Sequence, residues 1–500
     1  MRTKYSIRNS VTSFISNIVL LIATLISQRV FIDILGIEYL GLNGLFSNVL
    51  TMLSLFELGI GSAIIYHLYK PIAKNDTKTI KSLVMFYKKS YNVIILVMFI
   101  VGLIILPLVP FIAKTNLPVN LYIVYLLYLI HTLTSYFIAY KRSLIIADQK
   151  NYINNIIHMI YIIVLNVCQL IILFVTKNYY LYICVKIVCV FLENVATSII
   201  ASTMYPYLKV KENIVLDKKI KDDIIVKVKA LFLHKLSMVV KYGTDSIMIS
   251  IFFGLKLVGI YTNYYYIMYS VNTIFSGIVS NVSASVGNLL VEKNVNKRYS
   301  IFKRINFLNL YISIFTSSCI LVLSQDFIKL WVGDKYLLDI FTLVVLVINF
   351  FQVMMRNTYL TFKDAAGIWV EDRIVPVLEI VLNILFSIVL LKIFGIIGVF
   401  LGTIISSMPV WVYSYPKFVY KKIMNKDKLT YIKDNIICII SFIIIIISSY
   451  FISSLFISNN IYIELLVRGL ITIVVVNILF IIMFIRSKEF KYYIDLIFKK

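Results

Sequence analysis

The residues best placed to do chemistry in this chain are Arg29, Glu57, Glu193, Lys241 and Asp245, because each lies in a long apolar run. A charge at the centre of a membrane span costs about 2.5–3.5 kcal/mol on insertion scales, so such a residue needs a partner or a function. Arg29 stands near the end of the first run with Asp33 one helical turn on. The spacing suits an i,i+4 ion pair with the guanidinium reaching the surface, or a cation lining a cavity that accepts a phosphate. Lys241 lies deeper in its run, and His234, Met238, Lys241 and Asp245 share one helical face. Lys241 is either the fixed partner of Asp245 or a cation for an anionic ligand. Glu57 and Glu193 are mid-run carboxylates, suited either to coupling with a cation gradient or to fixed pairing. Lys235 is near a run's end and snorkels, Arg468 has Glu464 one turn earlier, and Tyr261, Tyr264, Tyr265 and Tyr266 read as an aromatic interface belt.

Other chemistries are excluded. The five cysteines (Cys168, Cys184, Cys189, Cys319, Cys438) fall inside apolar runs at no metal-ligand spacing, and the four histidines are scattered, so neither a metal nor a disulfide is expected. No Gly-rich phosphate loop of the G-x-x-x-x-G-K-[ST] type is present, which excludes ATP-driven pumping by this chain alone, and no cofactor is expected.

The elements that carry these residues follow from composition. The chain is 60 % hydrophobic with a mean hydropathy of +0.91, far above a soluble domain. Its apolar runs are about 20 residues long and continuous rather than alternating, which selects membrane-crossing helices over a barrel. Spans are expected near 11–32, 43–66, 91–113, 119–146, 156–176, 179–205, 230–253, 260–287, 306–328, 337–360, 374–393, 395–416, 433–455 and 461–485, an all-α polytopic protein of about fourteen transmembrane helices. The basic first residues, MRTKYSIR, lead into a run without a small-residue cleavage site and read as an uncleaved first span. Alternate connections divide the 49 Lys and Arg residues into 38 on one side and six on the other, with five inside spans. This bias places both termini in the cytoplasm. It also accounts for the net charge of +25 through anionic headgroups, without nucleic acid. No outer connection exceeds about a dozen residues, which argues against a membrane-embedded polymerase or transferase with an outer catalytic loop.

The chain repeats itself. Gly36-Ile-Glu-Tyr-Leu-Gly41 lines up with Gly254-Leu-Lys-Leu-Val-Gly259, and at the same offset Gly59 meets Gly277. The expected organisation is a six-helix lobe at 1–205, a cytoplasmic linker at 206–229, a second six-helix lobe at 230–417, and helices 13 and 14 with a basic tail at 418–500. The linker is charged, with Ile and Val at intervals that also suit an amphipathic segment on the inner leaflet. Transporters commonly arise from such repeats, with substrate held between them.

The stretch LGIEYLGLNGLFSNVLTMLSLFELGIGSAIIYHLYKP resembles the bacterial polysaccharide flippases of the Wzx type, which carry O-antigen and capsule repeat units. SASVGNL at 283–289, KLWVGDKYLL at 329–338 and the segment 365–406, with Gly367, Pro376, Glu379, Asn383, Gly395, Gly398, Gly402 and Thr403, carry the same likeness. The resemblance implies the multidrug/oligosaccharidyl-lipid/polysaccharide exporter superfamily, in a bacterial cytoplasmic membrane. The cargo it implies is an undecaprenyl-diphosphate-linked oligosaccharide, moved from the inner to the outer leaflet by alternating access. Spans 1, 2, 7 and 8 then line the cavity, where Arg29 and Lys241 meet the diphosphate. Other polysaccharide-assembly proteins are candidate partners. The alternative in the same superfamily is a cation-coupled small-molecule or multidrug antiporter, and neither is an enzyme.

The charge bias makes a direct prediction. A fluorescent protein fused after Lys500 will fluoresce, and alkaline phosphatase fused there will be inactive. The reverse pattern would place the C-terminus outside.

Overall fold

The computed structural model describes residues 2–57, 59–209, 216–280, 286–287, 289–290 and 294–498. Within these ranges the side chains of some helical residues, Lys241 among them, lie outside the description. Every regular element among the described residues is helical. The first half contains α1 (Arg2–Leu35), α2 (Ile37–Leu53), α3 (Ile60–Ala73), α4 (Thr77–Ile105), α5 (Leu121–Tyr136), α6 (Ala139–Ala147), α7 (Asn151–Thr176), α8 (Tyr179–Met204) and α9 (Lys218–Phe253). The second contains α10 (Leu255–Ser280), α11 (Val295–Trp331), α12 (Ile340–Ala365), α13 (Ile374–Phe394), α14 (Ile396–Ser406), α15 (Lys428–Ser454), α16 (Ile461–Phe484) and α17 (Lys488–Phe498).

Local sequence explains where these helices start. Eight begin behind an Asp or Asn whose side chain accepts a first-turn N–H: Asp76, Asn120, Asn178, Asp217, Asn294, Asp339, Asp427 and Asn460. The cap satisfies donors that have no partner inside the helix. Twelve helical stretches among the described residues are long and apolar enough to cross a membrane. Helices α9 and α10 occupy the places expected for spans 7 and 8. The described apolar part of α9 is Gly243–Phe253, and five tyrosines between Tyr261 and Tyr269 lower the hydropathy of α10. Large side chains such as Ile104, Phe174, Phe341 and Leu470 are exposed, as expected of faces that meet hydrocarbon.

The second expected span is not one helix. α2 ends at Leu53, a 3₁₀ turn covers Ser54–Glu57, and the chain restarts at α3 after Gly59 in the left-handed conformation (φ 77°). The pairing of Gly59 with Gly277 therefore fails as a structural repeat, because α10 runs through Gly277 unbroken. The expected linker is also part helix. From Lys218 onward it is the start of α9, with Ile224 and Val228 buried at i,i+4 spacing. This apolar stripe can be buried only if the segment winds helically.

The turns at Gly36 and Gly254 do repeat. Their backbones match, with φ/ψ of 101°/166° and 83°/171°. That region is essentially open to glycine alone, because a Cβ strains it. Five residues after each turn the second glycine makes a close contact. A Cβ on Gly41 would lie 2.0 Å from the Leu255 carbonyl oxygen, and one on Gly259 would lie 2.3 Å from that of Ile37. The first turns of α2 and α10 thus touch backbone to backbone.

The chain divides into two compact units, Met1–Gly259 and Ile260–Lys500. In the first, α1 lies along α7, α7 along α8, and α8 against α5, while α2 contacts both α5 and α9. In the second, α11 is central and packs on α12, α15 and α16. The α13–α14 hairpin closes on its own small residues. A Cβ on Gly398 would lie 2.1 Å from the Leu390 carbonyl oxygen, and Asn383 donates to Thr403 (3.2 Å).

Replacing Gly41 or Gly259 by Leu forces two backbones apart and will cost at least about 1–3 kcal/mol. The melting temperature of purified protein will fall for each. Both variants melting with the wild type would show that the contact does not form.

Candidate functional site

The site residues expected from sequence all lie in the first unit. Arg29, on α1, pairs with Asp33 at 3.7 Å, and both side chains are more than half exposed. Asp245, on α9, is buried at 2 % exposure. The same helix is fixed to α2 by Ser246, which accepts from Asn48 (2.7 Å), and by Gly243 beside Met52. Ser250 donates to the Ile112 carbonyl (2.7 Å). The Lys241 side chain lies outside the described residues, so its expected pairing with Asp245 does too.

Glu57 closes the 3₁₀ turn that breaks the second span. A Cβ on Gly61 would lie 2.9 Å from Glu57 Oε1, 2.7 Å from the Tyr87 hydroxyl and 3.6 Å from that of Tyr91. The carboxylate and two phenols therefore converge where glycine leaves room for them. Tyr87 donates to Tyr91 (3.0 Å) and bonds Ser143 (3.2 Å), and the Tyr136 ring lies 5.8 Å from Tyr91. The broken helix makes this cluster, because a continuous helix would carry Glu57 on past it.

Glu193 is differently held. Its Oε1 meets Arg142 Nη2 at 3.1 Å and His158 Nδ1 at 3.0 Å, with only 4 % of the carboxylate side chain exposed. The two carboxylate sites share one short helix. On α6, Arg142 reaches Glu193 while the next residue, Ser143, reaches Tyr87 in the Glu57 cluster. Lys141 completes the docking of α6 by donating to Ser198 (2.6 Å) and Ser202 (2.9 Å) on α8. Sequence reasoning did not find Arg142, because it stands at an expected span end among basic residues.

The structure also shows a polar cavity of about 320 Å³ between α2, α5 and α8 that the sequence reading did not single out. Thr51, Tyr128, His131, Ser135, Tyr136 and Lys186 are among its walls. The available signal was Lys186 itself, two turns into the apolar run of α8.

In the second unit several charges form closed pairs: the buried Lys363 with Asp372, and the partly buried Arg356 with Glu379 (2.9 Å) and Lys303 with Asp434 (2.8 Å). The expected Arg468–Glu464 pair is present at 2.6 Å, and Arg468 also bonds Asp326 (2.8 Å). Tyr264 donates to Gln325 (2.8 Å) and accepts from the Leu338 N–H (3.2 Å), so its hydroxyl serves packing.

No protein-family profile matches this sequence, and no curated protein matches it. Solved structures do. The lipid II flippase MurJ, in an inward closed conformation, is similar over 98 % of this chain and 100 % of its own, with a TM-score of 0.70 at 17 % identity. A multidrug resistance MATE family transporter of the MOP superfamily, in an inward-facing conformation, matches 79 % of this chain and 94 % of its own (TM-score 0.58, 16 % identity). A point mutant of the Vibrio cholerae MATE transporter VcmN matches 85 % and 99 % (TM-score 0.59, 13 % identity). The chain is thus an all-α polytopic membrane protein with a MurJ/MATE-like fold.

The shared anchoring of Glu193 predicts an asymmetry. Arg142→Ala leaves a buried carboxylate short of its cation and will destabilise the protein by roughly 1–3 kcal/mol, less than a fully buried pair because Arg142 is partly exposed. Glu193→Gln removes the charge itself and will cost less. Thermal unfolding of the two variants checks this order, and a larger loss for Glu193→Gln would refute it.

Proposed function

We propose that this protein is a flippase for an undecaprenyl-diphosphate-linked oligosaccharide, a repeat unit of a surface polysaccharide such as O-antigen or capsule. It works in a bacterial cytoplasmic membrane and moves cargo from the inner to the outer leaflet by alternating access. The observation that carries this reading is coverage. The match to the lipid II flippase accounts for 98 % of the chain, whereas the MATE transporters leave 15 % or more of it unmatched. A lipid carrying two phosphates needs cationic groups along its path, and Arg29 and Lys241 are assigned that role.

Among the carboxylates, Glu57 suits a coupling ion better than Glu193 does. Its neighbours at Gly61 are phenols, while Glu193 already has Arg142 and His158. Asp245 is a further candidate for coupling. The phenol-lined Glu57 also supports the alternative, a cation-coupled small-molecule antiporter, as do the MATE matches.

Reconstitution separates the two. In proteoliposomes loaded on one leaflet with a fluorescent undecaprenyl-diphosphate oligosaccharide, the wild-type protein will move the lipid to the other leaflet. Arg29→Ala and Lys241→Ala will each slow this about tenfold or more, the size of one lost charge-assisted hydrogen bond. No movement of any glycan tested, combined with uptake of a cationic dye driven by an ion gradient, would establish the antiporter instead.

A further inference from the structure

We propose that the cavity at Lys186 and His131, inside the first unit, is a binding site for a phosphate-class oxyanion. Its walls include neither Arg29 nor Lys241, and it does not depend on the flippase reading.

Several cations held within the bundle are matched by carboxylates. Arg142 has Glu193, Arg356 has Glu379, Lys363 has Asp372, and Arg468 has Asp326. Lys186 has no carboxylate at ion-pair distance among the described residues, and its ammonium lies 5.4 Å from the centre of the Tyr128 ring. The face of an aromatic ring attracts a cation but does not neutralise it. A lysine in an apolar bundle then needs an anion brought from outside, or must give up its proton.

A second donor faces the same space. His131 Nε2 is buried with no hydrogen-bond partner, and its residue lines the same cavity as Lys186. The hydroxyls around them are committed as donors to helix carbonyls: Thr51 to Ser47 (2.7 Å), Thr132 to Tyr128 (2.9 Å) and Ser135 to Thr132 (2.7 Å). Glu57 lies three residues past Ser54 on the wall, but its Oε1 is directed to Gly61 and it does not line the cavity. The walls thus present two nitrogen donors, from α8 and α5, and no acid. A volume of about 320 Å³ is many times the space of about 10–15 Å³ that one water needs on the same measure, room for a partly hydrated phosphate. A lysine ammonium recognises such a group as a point charge, and a neutral imidazole N–H adds direction.

The phosphoryl group has two sources, free phosphate or the headgroup of an isoprenyl phosphate lipid. Full-length protein in phosphatidylcholine nanodiscs distinguishes them. One arm titrates labelled inorganic phosphate. The other dopes the nanodiscs with a labelled isoprenyl monophosphate, without free phosphate, and counts lipid retained after detergent extraction. Saturable binding in either arm is expected, weakened at least tenfold by Lys186→Met, several-fold by His131→Phe, and kept by Lys186→Arg. The arm that responds identifies the source. No saturable binding in either arm would overturn the proposal, as would binding that ignores Lys186→Met. Should Lys186→Met fail to fold, His131→Phe carries the same comparison, and unchanged binding in it counts equally against the site.

Discussion

Two glycines, 218 positions apart in sequence, set a close backbone approach in the first unit. Gly41 and Gly259 each stand where a Cβ would overlap the carbonyl of the opposite turn. In a bilayer there is no hydrophobic gain from burying one apolar helix face on another, because lipid tails are as apolar as Leu. Close packing and backbone contact must supply the attraction, and only glycine lets two helices come this near. The preceding glycines, Gly36 and Gly254, turn the chain in the same non-L conformation, so each helix enters the contact from an equivalent angle. The α13–α14 hairpin solves the same problem with Gly398 and Gly402.

Charge is handled differently in different parts of the chain. Pairs such as Arg356–Glu379 and Lys363–Asp372 are closed, and each member offsets part of the desolvation cost of the other. The first unit holds both closed and open arrangements. Glu193 is doubly held, Glu57 sits among phenols, and Lys186 faces a cavity. Open arrangements suit a protein that binds and releases charged groups, because a group already paired has little affinity left to offer. The short helix α6 ties two of these arrangements together, since adjacent residues on it contact each one.

Much of the fold was legible from the sequence. Most expected spans have a helix in their place, the second being split near Gly59, because a bilayer demands about 20 apolar residues per crossing and the chain supplies them in long runs. The Arg468–Glu464 pair was legible because i,i+4 neighbours on one helix meet whatever the fold. The break at Gly59 was not. LFELGIGSA reads as continuous apolar helix, whereas the chain turns left-handed at Gly59 and packs Gly61 against Tyr87 and Glu57. The partners of Glu193 were equally hidden, since Arg142 and His158 are 51 and 35 residues away and meet it only through helix packing.

The sequence by itself determined the environment, the places of most helices and the repeated glycine turn. Each of these depends on hydropathy, on charge or on a conformation reserved to one residue type. The fourteen expected spans exceed the twelve stretches among the described residues that are long and apolar enough to cross a membrane. Tertiary structure decided which charges are partnered across helices. It set Glu193 against a cation and an imidazole, placed Glu57 with tyrosines from another helix, and left Lys186 beside a ring and a cavity. Distance along the chain says nothing of that, because in a helix bundle the neighbour that neutralises a buried charge comes from a different helix.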